Sequence, residues 1–303
     1  MNQNRTFVEE IKFQYHHGGM HIRLIIINTI IFILIGLGLV IANLSQNSAT
    51  ADFLGAAFTL ETNLKAFATH PWGLITSIFA HFEFFHFFVN MLFLYFAGSM
   101  FIQFFTSRRL LHIYVLGGIT GGLLEIAAHN LFPALIGTSS VIVGASGSIM
   151  AIFIAMAFYR PNIQVNLFGV IPVRLIIIAG LYLLYDIVSL GSKDATAHFA
   201  HLGGALIGFL SVQQLHSSKN IINMSESFGQ KIARFFSNLF KPKTKMKVEK
   251  GGVRMGKSDE EYALEKKQRQ EKTDKILDKI SKSGYESLTK AEKDFLFSQS
   301  NNG

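Results

Sequence analysis

Residues 1–23 are mixed and rather polar, and Leu24–Leu44 then runs without a single charged residue. A helix needs about 20 mainly apolar residues to cross a hydrocarbon core roughly 30 Å thick. Five further apolar stretches follow, at about Leu74–Phe101, Leu110–Phe132, Val141–Tyr159, Leu175–Leu190 and Ala197–Leu215. The fifth of the six is short and carries Asp186. No small-residue cleavage site follows the first, so it reads as a retained anchor rather than a secretion signal. The pattern predicts an all-α, polytopic membrane protein with a bundle of six transmembrane helices. No repeat of solenoid period is visible.

Charge divides the chain at the same place. Residues 1–214 hold 9 Lys/Arg and 8 Asp/Glu, and residues 215–303 hold 19 and 12. With half the residues hydrophobic and 29 of them Phe, a uniform soluble fold and a disordered chain are both excluded. The absence of cysteine removes disulfides, thiolate metal sites and thiol catalysis together. A net charge of +8 invites a nucleic-acid partner, but most of it lies in the tail, where Lys and Arg collect beside anionic lipid. The expected partner is therefore the bilayer, and no nucleic acid.

These divisions predict an N-terminal segment at 1–22 and a membrane domain at 23–215. An amphipathic and basic juxtamembrane linker follows at 216–257, and a short charged helical region at 258–303. Six spans put both termini on one side. With the N-terminus inside, ten Lys/Arg fall on or beside inner segments and only Lys65 and Lys193 on outer ones. That asymmetry predicts cytoplasmic termini. The simple layout suggests a prokaryotic plasma membrane.

Polar groups within spans are costly and are functional candidates. Span 2 carries His81, His86 and Asn90, the last two on one helical face. Span 4 opens with Gly144-Ala145-Ser146-Gly147, and span 6 holds His198 and His201-Leu202-Gly203-Gly204 with Gly208 beyond. Spans 2, 4 and 6 run in the same direction, so these residues collect toward one leaflet. At 1.5 Å per residue, Ser146 and His201 are expected about 6–8 Å deep. Acyl transfer needs a hydroxyl, a base to deprotonate it and donors for an oxyanion. Gly204 and Gly208 form a small-residue face that allows close approach to Ser146 and its flanking glycines.

At these residues the chain resembles the rhomboid family of intramembrane serine proteases, over about 70–215. The signatures stand as His81-x4-His86-x3-Asn90, Gly144-Ala145-Ser146-Gly147 and His201-Leu202-Gly203-Gly204-x3-Gly208. The resemblance implies that Ser146 is the nucleophile and His201 the general base, a dyad without a carboxylate. Asn90, His86 and the Ser146 backbone N–H would form the oxyanion hole. His81 would be structural, tying loop 1 to span 2. It implies no metal and no cofactor, and the substrates would be transmembrane segments of other proteins.

Two departures stand out. Ser99–Ser107 contains Gln103 where the family often has an acid, and Met150 stands where many members have an aromatic residue packed on the base. His198 is a rival base. Asp186 on span 5 could stand at the right depth to complete a triad but is not placed in the catalytic set, and Glu83 and Glu125 read as contacts with water or hydrogen bonds at the interface. Two alternatives remain: an inactive relative that binds or escorts membrane clients, and a small transporter.

In the tail, Phe228–Phe240 predicts an interfacial amphipathic helix and Lys241–Lys257 a basic linker. Glu260–Lys282 predicts a charged helix with Ile276, Leu277 and Ile280 as its apolar stripe. Ser283-Gly284 ends that helix, and Leu288–Phe297 predicts another. The pair reads either as a hairpin that docks a cytosolic partner or as a solvated tail.

Overall fold

The structure, a computed structural model, describes residues 6–136, 140–167, 169–190, 197–239 and 259–300. The chain divides into two compact units, Met1–Phe240 and Lys241–Gly303. The basic linker expected at Lys241–Lys257 lies outside the described residues.

The first unit opens with α1 (Phe7–His17), whose start is set by a capping box between Thr6 and Glu9. Gly18 and Gly19 separate it from the long apolar α2 (Met20–Ser45). The first loop then folds as α3 (Ser48–Phe58), β1 (Leu60–Glu61), α4 (Leu64–Thr69) and α5 (Gly73–Thr76), followed by a 3-10 turn over Ser77–Phe79. Next come α6 (Phe84–Phe101) and α7 (Ser107–Leu131). A two-residue strand β2 (Val141–Ile142) precedes α8 (Ser146–Tyr159). The hairpin β3 (Gln164–Leu167) and β4 (Ile171–Arg174) leads into α9 (Leu175–Val188), and α10 (His198–Val212) and α11 (Ile221–Leu239) complete the unit.

Three of these helices, α2, α6 and α7, are long and apolar enough to cross a membrane; α8, α9 and α10 are apolar but shorter. Two of the expected spans are cut back at their N-terminal ends. Residues 74–83 are not one helix with α6, because the chain turns through the 3-10 segment and is extended at Ala80 and Glu83. Val141–Ile142 pairs as a strand with Leu60–Glu61 instead of continuing α8.

Helix α8 is the hub. Ten of its residues, from Gly147 to Ala157, are buried, enclosed by α6, α7, α9 and α10. Small side chains permit this, since Ala151 and Ala155 let neighbouring backbones approach closely. The outward faces of α2, α6 and α9 have the opposite character: Leu34, Ile41, Phe85, Phe96, Leu181 and Val188 are all more than half exposed. Apolar belts of this extent suit acyl chains and would not persist in water. The unit is a multi-pass helical membrane bundle.

The second unit contains α12 (Asp259–Ser283), a 3-10 turn over Tyr285–Ser287, and α13 (Lys290–Ser300). Ile276 and Leu288 are buried in it, whereas Leu277 is half exposed, so the apolar stripe is thinner than expected. Gly284, at φ 76°, ends the first helix as anticipated. The second helix starts at Lys290 rather than 288, because the Thr289 side chain and the Glu292 carboxylate cap it reciprocally.

Candidate active site

The site is built where α8 meets α10. A β-carbon on Gly204 would fall on the Gly147 carbonyl, and one on Gly208 would fall on the Ala151 carbonyl. In the other direction, a β-carbon on Gly147 would stand 3.1 Å from the Ala200 carbonyl. The two backbones are in direct contact, which sets the neighbours of these residues, Ser146 and His201, side by side at one end of the bundle.

A second seam of small residues was legible in the sequence but not singled out: Gly117-Gly118-x-x-Gly121-Gly122 on α7. A β-carbon on Gly121 would lie 2.5 Å from the Ala200 carbonyl, and one on Gly118 would lie 2.5 Å from the Ser148 hydroxyl. Helix α7 therefore grips both α8 and α10 and fixes their relative height. Its Glu125, buried rather than at an interface with water, accepts a hydrogen bond from the Ala200 N–H at 2.9 Å. That carboxylate satisfies one of the unpaired donors in the first turn of α10.

Ser146 is the first residue of α8, not four or five residues inside a span. The reason is local. Gly144 has φ +115°, a conformation that few other residues adopt, and its N–H donates to the Ser77 carbonyl at 2.9 Å. The chain thus turns sharply just ahead of the serine. As an N-terminal helical residue, Ser146 presents its backbone N–H outward with no partner in its own helix. Its side chain is half-buried. Among the described residues, Ser146 Oγ makes no hydrogen bond, to His201 or to any other group.

His86 and Asn90 lie one turn apart in the first half of α6. A β-carbon on Gly144 would be 2.9 Å from His86 Nε2, so this imidazole abuts the turn that presents the serine. Asn90 is buried, and its amide nitrogen donates to the His86 carbonyl at 2.8 Å. His86 and His201 are near enough to interact electrostatically. His81 sits outside α6, in the extended segment ahead of it, and its Nε2 accepts from the Ala145 N–H at 3.3 Å. It therefore ties that segment to the serine turn of α8. Glu83 is exposed.

His201 and His198 are both buried on the first turn of α10. Each directs Nδ1 at a single oxygen of Asp186, from 3.0 Å and 2.7 Å respectively. Asp186, at the end of α9, is fully buried. The aromatic neighbour of His201 is Tyr182 on α9, with ring centres 5.8 Å apart, while Met150 is buried in the central core. The donor atoms of Asp186, His198 and His201 lie within 4.8 Å of one another, a set that could also hold a metal ion. Arg109 on α7 makes the hydrogen bonds that join it to α10 and to the start of α11. It donates to the Ser211 carbonyl at 2.7 Å and to the Asn220 and Asn223 side chains at 2.9 and 3.1 Å.

Comparison with known proteins follows this geometry. Residues 68–218 match the model of the rhomboid domain, and residues 257–302 match a family of unknown function (DUF6576). That second match gives no support to a cytosolic partner for the tail. The chain is 28% identical over 200 residues to "RHOMBOID-like protein 12, mitochondrial" of Arabidopsis thaliana, covering 60% of this chain and 59% of that one. It is 31% identical over 170 residues to "RHOMBOID-like protein 1" of the same plant, covering 55% and 39%. With "Rhomboid protein 1, mitochondrial" of Saccharomyces cerevisiae it shares 26% over 192 residues, covering 60% and 51%. The chain thus spans between about two fifths and three fifths of the length of these relatives. The relatives whose names give a compartment are mitochondrial. This corrects the prokaryotic plasma membrane suggested by the simple layout, because simplicity of layout does not report compartment. With the domain matched across the whole Ser146–His201 region and several relatives agreeing, the chain belongs to the rhomboid family.

Proposed function

We propose that this protein is an intramembrane serine endopeptidase, with six spans, that hydrolyses peptide bonds in or near the transmembrane segments of other proteins. The observation that carries the reading is the contact of Gly147 with Gly204, which brings the Ser146 end of α8 against the His201 turn of α10. In this reading Ser146 is the nucleophile and His201 the base. On closure around a substrate, His201 Nε2 takes the Ser146 hydroxyl proton as Oγ bonds to the scissile carbonyl carbon. Such hydrogen bonds are commonly open in the free enzyme and tighten in the complex. The oxyanion meets the Ser146 backbone N–H, favoured by the helix N-terminus, together with Asn90 and His86. The imidazolium then gives its proton to the departing amine as the C–N bond breaks. Water repeats the sequence on the acyl-enzyme and frees Ser146.

A substrate helix has its carbonyls engaged in its own hydrogen bonds, so the bond to be cut must first be unwound. Small or helix-breaking residues near the end of a span are the expected targets. The family also includes members without protease activity, which makes the test specific. Purified full-length protein is treated with a fluorophosphonate, beside Ser146→Ala and His201→Ala, and the same three are assayed for cleavage of a transmembrane substrate in liposomes. Labelling and cleavage by the wild type alone support the proposal. A folded wild type that neither labels nor cleaves would move the chain to the client-binding, inactive branch.

A further inference from the structure

We infer that Asp186 is a positioning residue for His201, making the serine–histidine pair a carboxylate-oriented one; this rests on the protease reading above. Asp186 is fully buried near the C-terminal end of an apolar helix, a costly place for a carboxyl group. One of its oxygens stands 3.0 Å from His201 Nδ1 and 2.7 Å from His198 Nδ1. A carboxylate oxygen accepts, so each ring nitrogen facing it must carry the proton. For His201 this fixes the tautomer in which Nε2 is bare, the form a general base requires.

Helix α9 restrains the ring in a second way. Tyr182 and Asp186 are four residues apart and so lie on one face. Tyr182 approaches the ring of His201 while Asp186 holds its Nδ1 edge. The other ionisable groups around His201 are placed differently. Glu125 on α7 is engaged by the Ala200 N–H, His129 pairs with Glu125, His86 faces from α6, Tyr185 packs on His198, and His198 shares the Asp186 oxygen. The Nδ1 proton stays on His201 throughout; only the Ser146 proton moves, to Nε2 and onward to the leaving amine. The carboxylate orients the ring and stabilises the imidazolium without being protonated.

The test separates binding from chemistry in the full-length protein. Rates of fluorophosphonate labelling are measured over a range of probe concentrations, giving a maximal rate and an apparent affinity for wild type and Asp186→Asn, with thermal unfolding of both. The amide offers a donor where the carboxylate accepted, favouring the wrong tautomer. The maximal rate is expected to fall at least about tenfold with affinity and unfolding temperature nearly unchanged. Labelling should vanish in His201→Ala and persist in His198→Ala. Nitrogen-15 spectra of imidazole-labelled wild type, assigned with His201→Gln, should show the His201 proton on Nδ1, a result that does not depend on how the Asp186 variant folds. The inference is overturned by a wild-type maximal rate in folded Asp186→Asn, by a proton on Nε2, or by labelling that needs His198 and not His201. It is also overturned if a chelator abolishes labelling and zinc restores it, because the three side chains would then be metal ligands. Failure of the wild type itself to label would instead defeat the protease reading.

Discussion

Gly147 and Gly204 touch backbone to backbone, leaving no room between α8 and α10 for a single methyl group. Rigid backbone lies on both sides of the contact, so an added carbon has to push the helices apart. Gly204→Ala is expected to cost about 1–3 kcal/mol and to remove labelling of Ser146 almost completely, read by thermal unfolding and fluorophosphonate reaction. Gly180→Ala on α9, where a β-carbon meets open space, is the counterpart: it should leave stability unchanged or raise it by up to about 1 kcal/mol. Equal behaviour of the two variants would remove the close helix contact from the account.

His81 holds the serine turn through the Ala145 N–H. Removing the acceptor in His81→Ala leaves a buried donor unpaired, at a cost of about 1–3 kcal/mol. Because Ala145 directly precedes Ser146, the proposed nucleophile, activity should fall more than the loss of folded protein explains, by about tenfold when assayed well below the unfolding temperature. Activity that follows only the folded fraction would make His81 a matter of stability alone.

Glu125 distinguishes charge from hydrogen bonding. Its contact with the Ala200 N–H needs an acceptor oxygen, which Gln retains. Glu125→Gln should therefore unfold within about 1 kcal/mol of wild type, and Glu125→Ala should be weaker by about 1–3 kcal/mol. Thermal scans of the two in one detergent decide it, and a Gln variant as weak as the Ala variant would show that the negative charge matters.

In the tail, the Lys279 ammonium and the Thr289 backbone and hydroxyl donors hold the Glu292 carboxyl down to about 2, from an ordinary 4.5. The folded state thus favours the ionised form. Whatever stability this pair gives the hairpin is complete above the ordinary value and is lost as pH falls from there through about 2. The pair is only partly buried, so salt should weaken it. Carbon-13 titration of Glu292 in full-length protein should give a low midpoint that rises toward the ordinary value in Lys279→Gln. A midpoint unaffected by that substitution would assign the effect to the Thr289 cap.

How much of this was legible in the sequence depended on contrast. Ser146, His201, His86 and Asn90 stood out because polar groups are conspicuous in apolar spans, and the Gly204–Gly208 spacing named the face that packs. The break ahead of α6 was hidden, because residues 74–83 contain neither Gly nor Pro and the Phe-rich run on both sides reads as continuous. Strands of two residues, such as β1 and β2, carry no period to detect. The meeting of Asp186 with His201 depends on the rotation of α9 about its axis, and an apolar helix with one polar residue does not specify that angle until its neighbours are placed. The Gly117–Gly122 seam was visible and only its significance was missed.

The tie between loop 1 and the serine turn has a consequence for the order in which the protein matures. Thr62 and Ser140 exchange hydrogen bonds across 78 residues of sequence, and the Leu60 and Ile142 strands pair beside them. During synthesis, the early loop must wait with its strand edge bare until two further helices have been inserted and the fourth begins. Ser146 follows that strand within a few residues, so it is presented only when its scaffold has closed. A nascent chain of this kind has no assembled Ser146–His201 site until most of its bundle is in the membrane.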